Sequence, residues 1–403
     1  MSNDNVNHPK HYTQGGIECI DALAAATVGL TGIEAVDTAN AIKYLWRWKN
    51  KNGVEDIDKA IWYLNHLKKE VTKTSSGVED IFQELEGTGV KFVKPSATLI
   101  VEENPVRKLE AIARTCYKSE SNITEDSGKR LVRSLYVNRH MAMFEHVTFT
   151  FQVPAEVGET LFQDWEAVKY MHITEGIYSW IVTVNLRAIL EQPICDEFLI
   201  AVCRAYPQFF EIFEVQDSGK QLNVELVTEQ KNGFVVDDIF VDSRYKYHKY
   251  FTIRFITDRG VSHELVRHRN SFAQESTRYV NYDKRGMEFV LPCEFKEWPV
   301  EVKLRYLSSI RNCAEDYKAL IRAGIKPQMA RSVLPNSLKT EIVMTCNIAR
   351  WLHFFDLRLK GTTGSPHPDM KVIANMAERV FTEYDSNWYT GSFYSNARAG
   401  FCD

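Results

Sequence analysis

Apolar residues near the start of the chain recur at the spacing of a helix face. Two such stripes predict two helices, and an acidic first turn after Gly53 suits the start of the second helix. The stripes are Ala35, Ala39, Ile42, Leu45 and Trp46, and then Ile57, Ala60, Ile61, Leu64 and Leu67. We expect residues 1–71 to form a small all-α domain in which these helices face each other, with Trp46, Trp48 and Trp62 as bulky filling.

The composition changes after this helical stretch. Residues 72–77 read Thr-Lys-Thr-Ser-Ser-Gly, which is typical of a linker. A chain of 403 residues is also too long for one core of ordinary size. We therefore predict a linker over 72–87 and a second domain over 88–403.

The second domain combines two hydrophobic periods. Alternation with period two predicts strands over 147–153 and 250–257, and a helical stretch runs from Val261 to Arg269. Helical spacing predicts further helices over 105–119, 194–213, 300–323 and 340–358, and the polar stretch 216–232 is expected to be a surface loop. The predicted fold class is α+β, a mixed α/β domain with a small all-α N-terminal domain.

Composition limits the function classes. The formal net charge of −4 argues against a protein whose whole surface binds nucleic acid, so any anion site must be local. Eight cysteines show neither CxxC pairs nor ligand-like spacing with histidine, which favours reduced thiols and no metal site. We found no apolar run of the roughly 18 residues that a membrane helix needs, and the polar N-terminus is no signal peptide, so a cytoplasmic protein without a membrane partner is expected.

The most unusual chemistry lies between residues 266 and 279. Arg267, His268 and Arg269 stand in a row, and Arg278 follows a short run of polar residues. Four cationic groups within twelve residues repel each other unless an anion offsets their charge. This pattern predicts a site for an anionic ligand rich in hydrogen-bonding groups, such as a nucleotide.

Three other groups could belong to the same site. They are His140 with Glu145-His146, the stretch 330–335 around Arg331, and Asn347, His353 and Arg358 on one predicted helical run. Asn347 and Arg358 are eleven residues apart, about three helical turns, so both would lie near one face. Taken alone, His140 could be a surface histidine, Arg331 a surface salt-bridge partner and Arg358 a solvated charge.

Together these groups resemble the flavin-dependent thymidylate synthases. The resemblance rests on Arg267-His268-Arg269 followed by Ser276-x-Arg278-Tyr279, and it covers roughly 88–400 apart from an insertion at about 157–245. Further matching motifs, in the family's order, are 113–117, 145–151, 330–335, 338–341 and 347–358. Here six residues instead of the usual seven separate Arg269 from Ser276, so the missing residue lies directly after Arg269 and affects how His268 and Arg269 are aimed.

The resemblance implies a methyltransferase of dTMP biosynthesis. Enzymes of this family methylate dUMP to dTMP, with methylenetetrahydrofolate as the carbon donor, FAD as the hydride carrier and NADPH as the usual reductant. They are homotetramers with sites between subunits. Because the flavin supplies the electron chemistry, the protein needs to supply only binding, orientation and electrostatics. No activated cysteine is evident, and Cys346, beside Asn347, is expected to serve packing.

Residue roles follow from the same resemblance. Arg358 would lie against the uracil and stabilise negative charge, and Ser276 would orient the pyrimidine; these two are the expected catalytic residues. The expected dUMP contacts are Glu264, Arg267, Gln274, Ser276, Arg278, Arg331 and Arg358. The expected FAD contacts are His146, Thr148, Arg267, His268, Arg269, Gln274, Asn347 and His353. Within the insertion, the stretch 183–187 either lines a folate or nucleotide pocket or faces solvent.

The N-terminal unit resembles a small phage-encoded family associated with nucleotide metabolism, including nucleotide kinase activity. The matching stretches are 7–12, 15–21, 40–47, 55–56 and 60–64. Candidate phosphate contacts are His8, His11, Lys43 and Arg47, although residues 1–75 contain no Gly-rich phosphate loop. The unit would act on the precursor of dUMP or phosphorylate dTMP, or else serve docking or oligomerisation. If a phage encodes the chain, the host cytoplasm is its expected location.

Two other functions are compatible with the sequence. A phage-type variant could hydroxymethylate C5 or act on dCMP, because the sequence does not resolve the contacts that identify the pyrimidine. From another class, a single-strand nucleic-acid binder could use the arginines and the abundant aromatic residues. The acidic balance and the absence of a basic stripe outside the motif argue against this second reading, so a nucleic-acid partner is not expected.

Overall fold

The structure is a computed structural model, and it describes residues 9–163, 171–176, 179–192, 195–227 and 245–384. The chain divides into two compact units. One comprises the residues up to Gly89 together with Lys296–Asn312, and the other comprises Val90–Phe295 and the residues from Cys313 onward. None of the described helices is both long enough and apolar enough to span a bilayer.

The first unit is mainly helical, as predicted. A hairpin of two-residue strands, β1 (Thr13–Gln14) and β2 (Ile17–Glu18), precedes helices α1 (Cys19–Ala26), α2 (Gly32–Arg47) and α3 (Val54–Gly87). A single 3-10 turn, Trp48–Asn50, follows α2. Gly53 precedes α3 with a φ of 55°, a left-handed conformation that glycine adopts without steric penalty.

Helix α3 continues through 72–87, where the composition suggested a linker. Serine and threonine lower helix stability only modestly, so a helix can continue through them when apolar residues further along are buried. Leu85, near the end of α3, is such a residue and is fully buried. The position of the domain boundary stays a prediction.

Two of the three tryptophan side chains, Trp48 and Trp62, do not fill the space between α2 and α3 as predicted. Trp48 is 41% exposed and Trp62 is 58% exposed. Trp62 stacks on His66 instead, with ring centroids 5.1 Å apart, whereas Ala41 of α2 and Ala60 of α3 are buried. Small residues at this position let two helix backbones approach closely, which leaves no room for indole rings between them.

A buried ion pair links α2 to α3. The Arg47 guanidinium donates to both carboxylate oxygens of Asp56 at 3.1 and 3.2 Å, and to the hydroxyl of Tyr12 at 2.6 Å. Burial of Asp56 opposes its charge, but the hydrogen bonds from Arg47 and Asn52 outweigh burial and lower the pKa of this carboxyl. Arg47, a candidate phosphate contact, is therefore engaged within the unit; His8 lies outside the described residues.

The second unit mixes helices and strands, as predicted. Its strands are β3 (Val90–Phe92), β4 (Ser96–Leu99), β5 (Thr148–Val153), β6 (Met171–Thr174), β7 (Trp180–Asn185), β8 (Glu225–Leu226), β9 (Tyr250–Asp258), β10 (Ser271–Gln274), β11 (Met287–Phe289) and β12 (Lys339–Asn347). Its helices, which include one that begins in the first unit, are α4 (Pro105–Tyr117), α5 (Ser127–Val137), α6 (Ala155–Gln163), α7 (Leu186–Glu191), α8 (Asp196–Ala205), α9 (Gln208–Phe213), α10 (Tyr245–His248), α11 (Arg259–Leu265), α12 (Tyr282–Arg285), α13 (Val300–Arg322), α14 (Pro327–Ala330), α15 (Ile348–Phe355) and α16 (Pro368–Tyr384).

Short 3-10 and π turns complete this unit. The 3-10 turns are Glu120–Asn122, Met141–His146, Val266–His268, Phe295–Glu297 and Arg331–Val333, and a π turn spans Asp356–Lys360.

A four-stranded antiparallel sheet in the order β10-β12-β9-β4 organises the second unit. Strand β12 pairs with β9 over its whole length, from Lys339 opposite Asp258 to Asn347 opposite Tyr250. All nine residues of β12 are buried. The core on one face joins strand residues such as Phe255 and Met344 to helix residues such as Trp351 and Phe381.

Part of the insertion forms a second antiparallel sheet, in the order β6-β7-β5-β8. Its core contains large buried side chains such as Phe151, Phe198 and Phe209. Residues 216–227 are largely irregular apart from β8, as predicted for the loop at 216–232. The remainder of that predicted loop, 228–232, lies outside the described residues.

The helix predicted over 340–358 is wrong in its first half. Residues 339–347 form β12, and α15 begins only at Ile348. The apolar residues of a strand that is buried on both faces need not alternate, and periodicity alone does not separate such a strand from a buried helix. Asn347 and Arg358 therefore do not share a helix face. The predicted helix over 194–213 is divided into α8 and α9 near Pro207.

A short polar chain runs through the core at β12. The Nδ1 atom of His146 lies 2.7 Å from the hydroxyl of Thr345, which lies 2.9 Å from the hydroxyl of Thr252. Burial, with a contribution from the charge of Lys108, lowers the pKa of His146 to about 3. The imidazole is therefore neutral at physiological pH.

Removing the buried carboxylate of the first unit should destabilise α2 and α3 selectively. Asp56→Ala leaves Arg47 buried without its counter-ion, and we expect a loss of about 3 kcal/mol in the free energy of opening of these helices. Because the folded-state pKa of Asp56 lies below the unfolded value, this contribution is present at neutral pH and lost in acid. Hydrogen exchange of the α2 and α3 amides measures it.

The matched control is Glu55→Ala, which removes the neighbouring acid of an exposed pair with Lys59. Its effect should be much smaller, because both members of this pair are exposed to solvent. Equal effects of the two substitutions would contradict the structural role of the Arg47–Asp56 pair.

The neutral, buried His146 should make the chain less stable in acid. Its folded-state pKa of about 3 lies below the unfolded value of 6.5, so the unfolded state gains a proton first as the pH falls. Lowering the pH from 7.5 to 5 should cost about 2 kcal/mol through this residue alone. Chemical denaturation at the two pH values should show a smaller loss in His146→Asn than in His140→Asn, whose ring is exposed. Identical losses in the two variants would show that His146 is not the titrating group.

Candidate functional site

Burial alternates along the polar segment that follows β10. Ala273, Glu275 and Thr277 are buried, whereas Gln274, Ser276 and Arg278 lie between them at partly or fully exposed positions. Successive side chains of an extended chain point to opposite sides. Gln274 and Ser276, which are expected to contact a nucleotide, thus share one side of the extended part, and Arg278 is exposed in the turn that follows. We call Gln274, Ser276 and Arg278 the outward row.

Neighbouring polar groups hold the outward row. The amide nitrogen of Gln274 donates to the hydroxyls of Ser262 at 2.9 Å and Thr340 at 3.2 Å. The backbone N–H of Ser276 donates to the carbonyl of Cys116 at 2.9 Å, and the Ser276 hydroxyl accepts from the backbone N–H of Arg278 at 3.3 Å. These bonds fix the segment on both sides of Glu275.

Two cysteines near these elements are held as thiols. Burial raises the pKa of Cys116 to about 11, and it raises the pKa of Cys346 well above the ordinary value. A protonated thiol is a poor nucleophile. Cys346 therefore serves packing, as expected. The proximity of Cys116 to the outward row was missed, although the motif at 113–117 contains this residue.

Arg358 joins Glu264 and His268 in one cluster. Its Nη1 donates to Glu264 Oε2 at 3.0 Å and its Nε donates to His268 Nε2 at 3.0 Å. Burial, then the charge of Arg358 and the neighbouring His353, lowers the pKa of His268 to about 4, so Nε2 is free to accept this bond. The ring of His353 lies 6.4 Å from that of His268. Because Arg358 is paired and largely buried, the alternative of a solvated charge is wrong.

A cavity of about 460 Å³ lies next to the segment that carries the outward row and is lined by Thr277 of that segment. It is lined by Arg259, His263, Thr277, Gln328, Met329, Arg331, Ser332, Leu334, Pro335, Asn336 and Leu338. Arg331 donates to the hydroxyl of Thr277 at 3.0 Å, and Arg278 donates to the side-chain oxygen of Gln328 at 3.3 Å. Among the described residues, Nη1 of Arg259 is buried without a hydrogen-bond partner. Arg331 could have been a surface salt-bridge partner, but it has no acidic partner in the described part of the chain.

Arg267 and Arg269 lie at the exposed end of α11. Neither guanidinium has an ion-pair partner within the ranges that the structure describes. Arg269 has a φ of 51°, and Asn270 alone connects it to β10. The chain therefore makes its short connection after Arg269 with a left-handed residue, a conformation that side chains with a Cβ atom disfavour.

The other expected flavin contacts lie within the fold. His146 is completely buried. Thr148 begins β5 and pairs with Asn185. Asn347 caps α15 by accepting from the N–H of Arg350 at 3.0 Å, and its amide donates to the carbonyl of Tyr247 at 3.2 Å. The structure thus does not bring these three to the Arg358 cluster through any direct contact among the described residues.

The stretch 183–187 has structural partners. Thr183 lies 2.7 Å from the hydroxyl of Thr150 and 2.9 Å from Nδ1 of His248. Asn185 caps α7 by accepting from Ala188 N–H at 2.9 Å. The expectation that this strand faces solvent is wrong, because all six residues of β7 are buried, and none of them lines the cavity beside the outward row.

Sequence reasoning missed a group of charged residues behind the outward row. Glu275, Lys339 and Glu341 are buried, and Lys118 reaches both Glu275 and Glu341. A signal was present in the sequence, because Lys339 and Glu341 flank Thr340 at the start of an apolar run. Charged residues at the buried end of a strand require partners, which the sequence pattern does not identify.

Two family models match the chain. The model of the thymidylate synthase complementing protein family matches residues 98–161 and 241–384. A family of proteins of unknown function, DUF3310, matches residues 6–65. A nucleotide-related activity of the first unit therefore stays a prediction.

Individual relatives match a part of the chain. A flavin-dependent thymidylate synthase of Geobacter sulfurreducens is 39% identical over 101 residues, which cover 25% of this chain and 43% of that protein. One from Mycobacteroides abscessus is 31% identical over 152 residues, which cover 32% of this chain and 58% of that protein. The chain spans about half the length of the curated relatives it matches.

A solved structure of the UMP/dUMP methylase PolB from Streptomyces cacaoi, bound with 5-Br dUMP, is also similar. It is 15% identical, covers 73% of this chain and 92% of its own, and has a TM-score of 0.33, which is too low to establish a shared fold. The family model, in contrast, covers just over half of the chain, including the strands and helices that carry the outward row, the cavity and the Arg358 cluster. The chain therefore belongs to the thymidylate synthase complementing protein family.

Proposed function

We propose that this chain is a flavin-dependent thymidylate synthase that methylates dUMP to dTMP. In this proposal methylenetetrahydrofolate is the carbon donor, FAD the hydride carrier and NADPH the reductant. One observation carries it: Arg278 of the outward row donates to Gln328 on the wall of a cavity that two arginines line. Membership of the family supports the choice of reaction.

The cavity beside the outward row suits the phosphate end of a nucleotide. Its volume of about 460 Å³ falls in the usual range of small-molecule sites. Arg331 and Arg259 line it, and Arg278 bonds to Gln328 on its wall. Guanidinium groups bind phosphate through paired hydrogen bonds, and a bound phosphate would offset the repulsion between these cations.

The Arg358 cluster suits the pyrimidine. Glu264 and the neutral His268 hold the guanidinium from two directions, so it needs little reorganisation when a ligand binds. A fixed positive charge against the base lowers the free energy of negative charge that develops on the ring oxygen and nitrogen. Ser276, held by its backbone bond to Cys116, would orient the ring rather than act as a nucleophile.

The residues at the end of α11 fit FAD. Arg267 and Arg269 are exposed and lack ion-pair partners among the described residues, which suits the anionic diphosphate of the cofactor. His268 stands between them in the chain, and the ring of His353 lies 6.4 Å from the ring of His268. FAD, when bound, supplies the hydride-transfer chemistry. Gln274 and the more deeply placed His146, Thr148 and Asn347 complete the proposed contacts.

The assembly belongs to the proposal as well. We propose a homotetramer in which neighbouring subunits contribute to each site, so that exposed residues such as Arg267 would meet ligand at a subunit boundary. The substrates are then small molecules, dUMP and the folate, and a nucleic-acid partner fits poorly with the net charge of −4.

The purified protein should be yellow and should oxidise NADPH in the presence of methylenetetrahydrofolate and dUMP. The dUMP-dependent rate should exceed the rates with dCMP and without nucleotide, and mass spectrometry should identify dTMP as the product. Turnover that requires dCMP would instead indicate a dCMP-acting enzyme, and a hydroxymethylated product would indicate a C5 hydroxymethylase. Absence of both flavin and nucleotide-dependent turnover would overturn the proposal.

Arg278→Ala should weaken nucleotide binding and leave FAD bound. Loss of hydrogen bonds to a charged phosphate costs about 1.5–3 kcal/mol, so the KM for dUMP should rise roughly tenfold or more. Arg204→Ala, which removes an exposed arginine paired with Asp217, is the control and should leave KM unchanged. Loss of flavin with unchanged dUMP affinity would contradict the assignment of Arg278.

A further inference from the structure

A cluster of charged side chains lies directly behind the outward row. Its central member is Glu275, which stands between Gln274 and Ser276 in the chain and is 3% exposed. The buried charge cluster, as we call it, consists of Lys118, Glu275, Glu288, Lys339 and Glu341. It belongs to neither the cavity lining nor the Arg358 cluster.

Lys339 is the common partner of the three carboxylates. Its Nζ lies 2.8 Å from Glu341, 3.1 Å from Glu288 and 3.4 Å from Glu275. Lys118 also bonds to Glu341 and lies 3.9 Å from Glu275. Burial opposes the charge of Lys339, but the carboxylates of Glu275 and Glu341 outweigh burial and raise its pKa. Burial also opposes the charge of Glu341, but hydrogen bonds from Lys118 and Lys339 outweigh it and lower the pKa of this carboxyl. Lys339 and Glu341 therefore stay charged at neutral pH.

Both oxygens of the Glu275 carboxylate are engaged. Oε1 accepts from the hydroxyl of Tyr282 at 3.2 Å, and Oε2 faces Lys339 and Lys118. The backbone N–H of Glu275 donates to the carbonyl of Glu341 at 2.8 Å. A buried carboxylate is strongly disfavoured wherever these partners are lost, so its side chain has one favourable position.

That position determines where the neighbouring side chains point. Because successive side chains of the extended segment alternate, a Glu275 fixed toward the interior directs Gln274 and Ser276 to the other side. The partners come from three elements: β12 carries Lys339, α12 carries Tyr282, and Lys118 follows α4. The cluster thus ties the nucleotide-facing segment to three separate parts of the unit.

Stability alone does not explain a charge at this position. An apolar residue with a well-packed apolar neighbour is often as stable as a buried ion pair or more so, whereas the directional bonds of an ion pair can specify one conformation. Resting on the proposed function, we propose that Glu275 is a positioning residue that sets the orientation of the outward row and thereby the affinity for the pyrimidine nucleotide. It acts through Gln274, Ser276 and Arg278 and does not itself touch the substrate.

Steady-state kinetics of Glu275→Gln tests this role in the full-length, flavin-loaded protein. The amide keeps the size of the side chain and a bond to Tyr282 but loses the attraction to Lys339 and Lys118. We expect the KM for dUMP to rise about tenfold, with kcat within about twofold of the wild type and an unchanged flavin content. Glu288→Gln is the control. Glu288 also contacts Lys339, but its side chain is 41% exposed and it does not belong to the segment that carries the outward row. The KM of this variant for dUMP should stay within about twofold of the wild-type value.

Tyr282→Phe provides a second test if Glu275→Gln does not fold. It removes one hydroxyl that binds Glu275, and the KM for dUMP should rise about threefold with kcat retained. A KM equal to that of the wild type in the folded variants, or a loss confined to thermal stability, would overturn the positioning role. The absence of dUMP-dependent turnover in the wild type would instead overturn the proposed function, on which this role depends.

Discussion

The complete burial of strand β12 is the constraint on which the second unit depends. All nine of its residues are buried between β9 and β10, yet several of them are polar. Each of these polar residues must find a partner inside the protein, and the partners lead to the site. Thr340 binds Gln274, Lys339 and Glu341 surround Glu275, and Asn347 caps the helix that leads to Arg358.

This arrangement separates the groups that bind from the groups that orient them. Arg358 is held by Glu264 and His268, so its guanidinium is ordered before any ligand arrives, and Arg331 donates to Thr277. Side chains that are already ordered lose little entropy on binding. In such a site the guanidinium groups that bind an anion are oriented by neutral or oppositely charged side chains that contact them from behind.

The sequence predicted most of the elements that carry the site, because β9 and α11 follow clear periods and the Arg267–Arg278 motif has few structural explanations. It failed where burial removes periodicity: β12 is buried on both faces, so its apolar residues do not alternate, and the sequence predicted a helix there. It also placed Trp48 and Trp62 inside the first unit, since composition does not distinguish an apolar face that packs from one that is exposed. The pairing of Glu275 with Lys339 joins residues 64 positions apart, and local spacing carries no information on such a contact.

The central claim is that a nucleotide binds across the outward row, between the cavity and the Arg358 cluster. A crystal structure of the flavin-loaded protein with dUMP tests it most directly. The claim predicts the phosphate in the cavity within hydrogen-bond distance of Arg331 or Arg278, and the pyrimidine next to Arg358 and Ser276. A nucleotide bound elsewhere, with the outward row facing solvent, would contradict it.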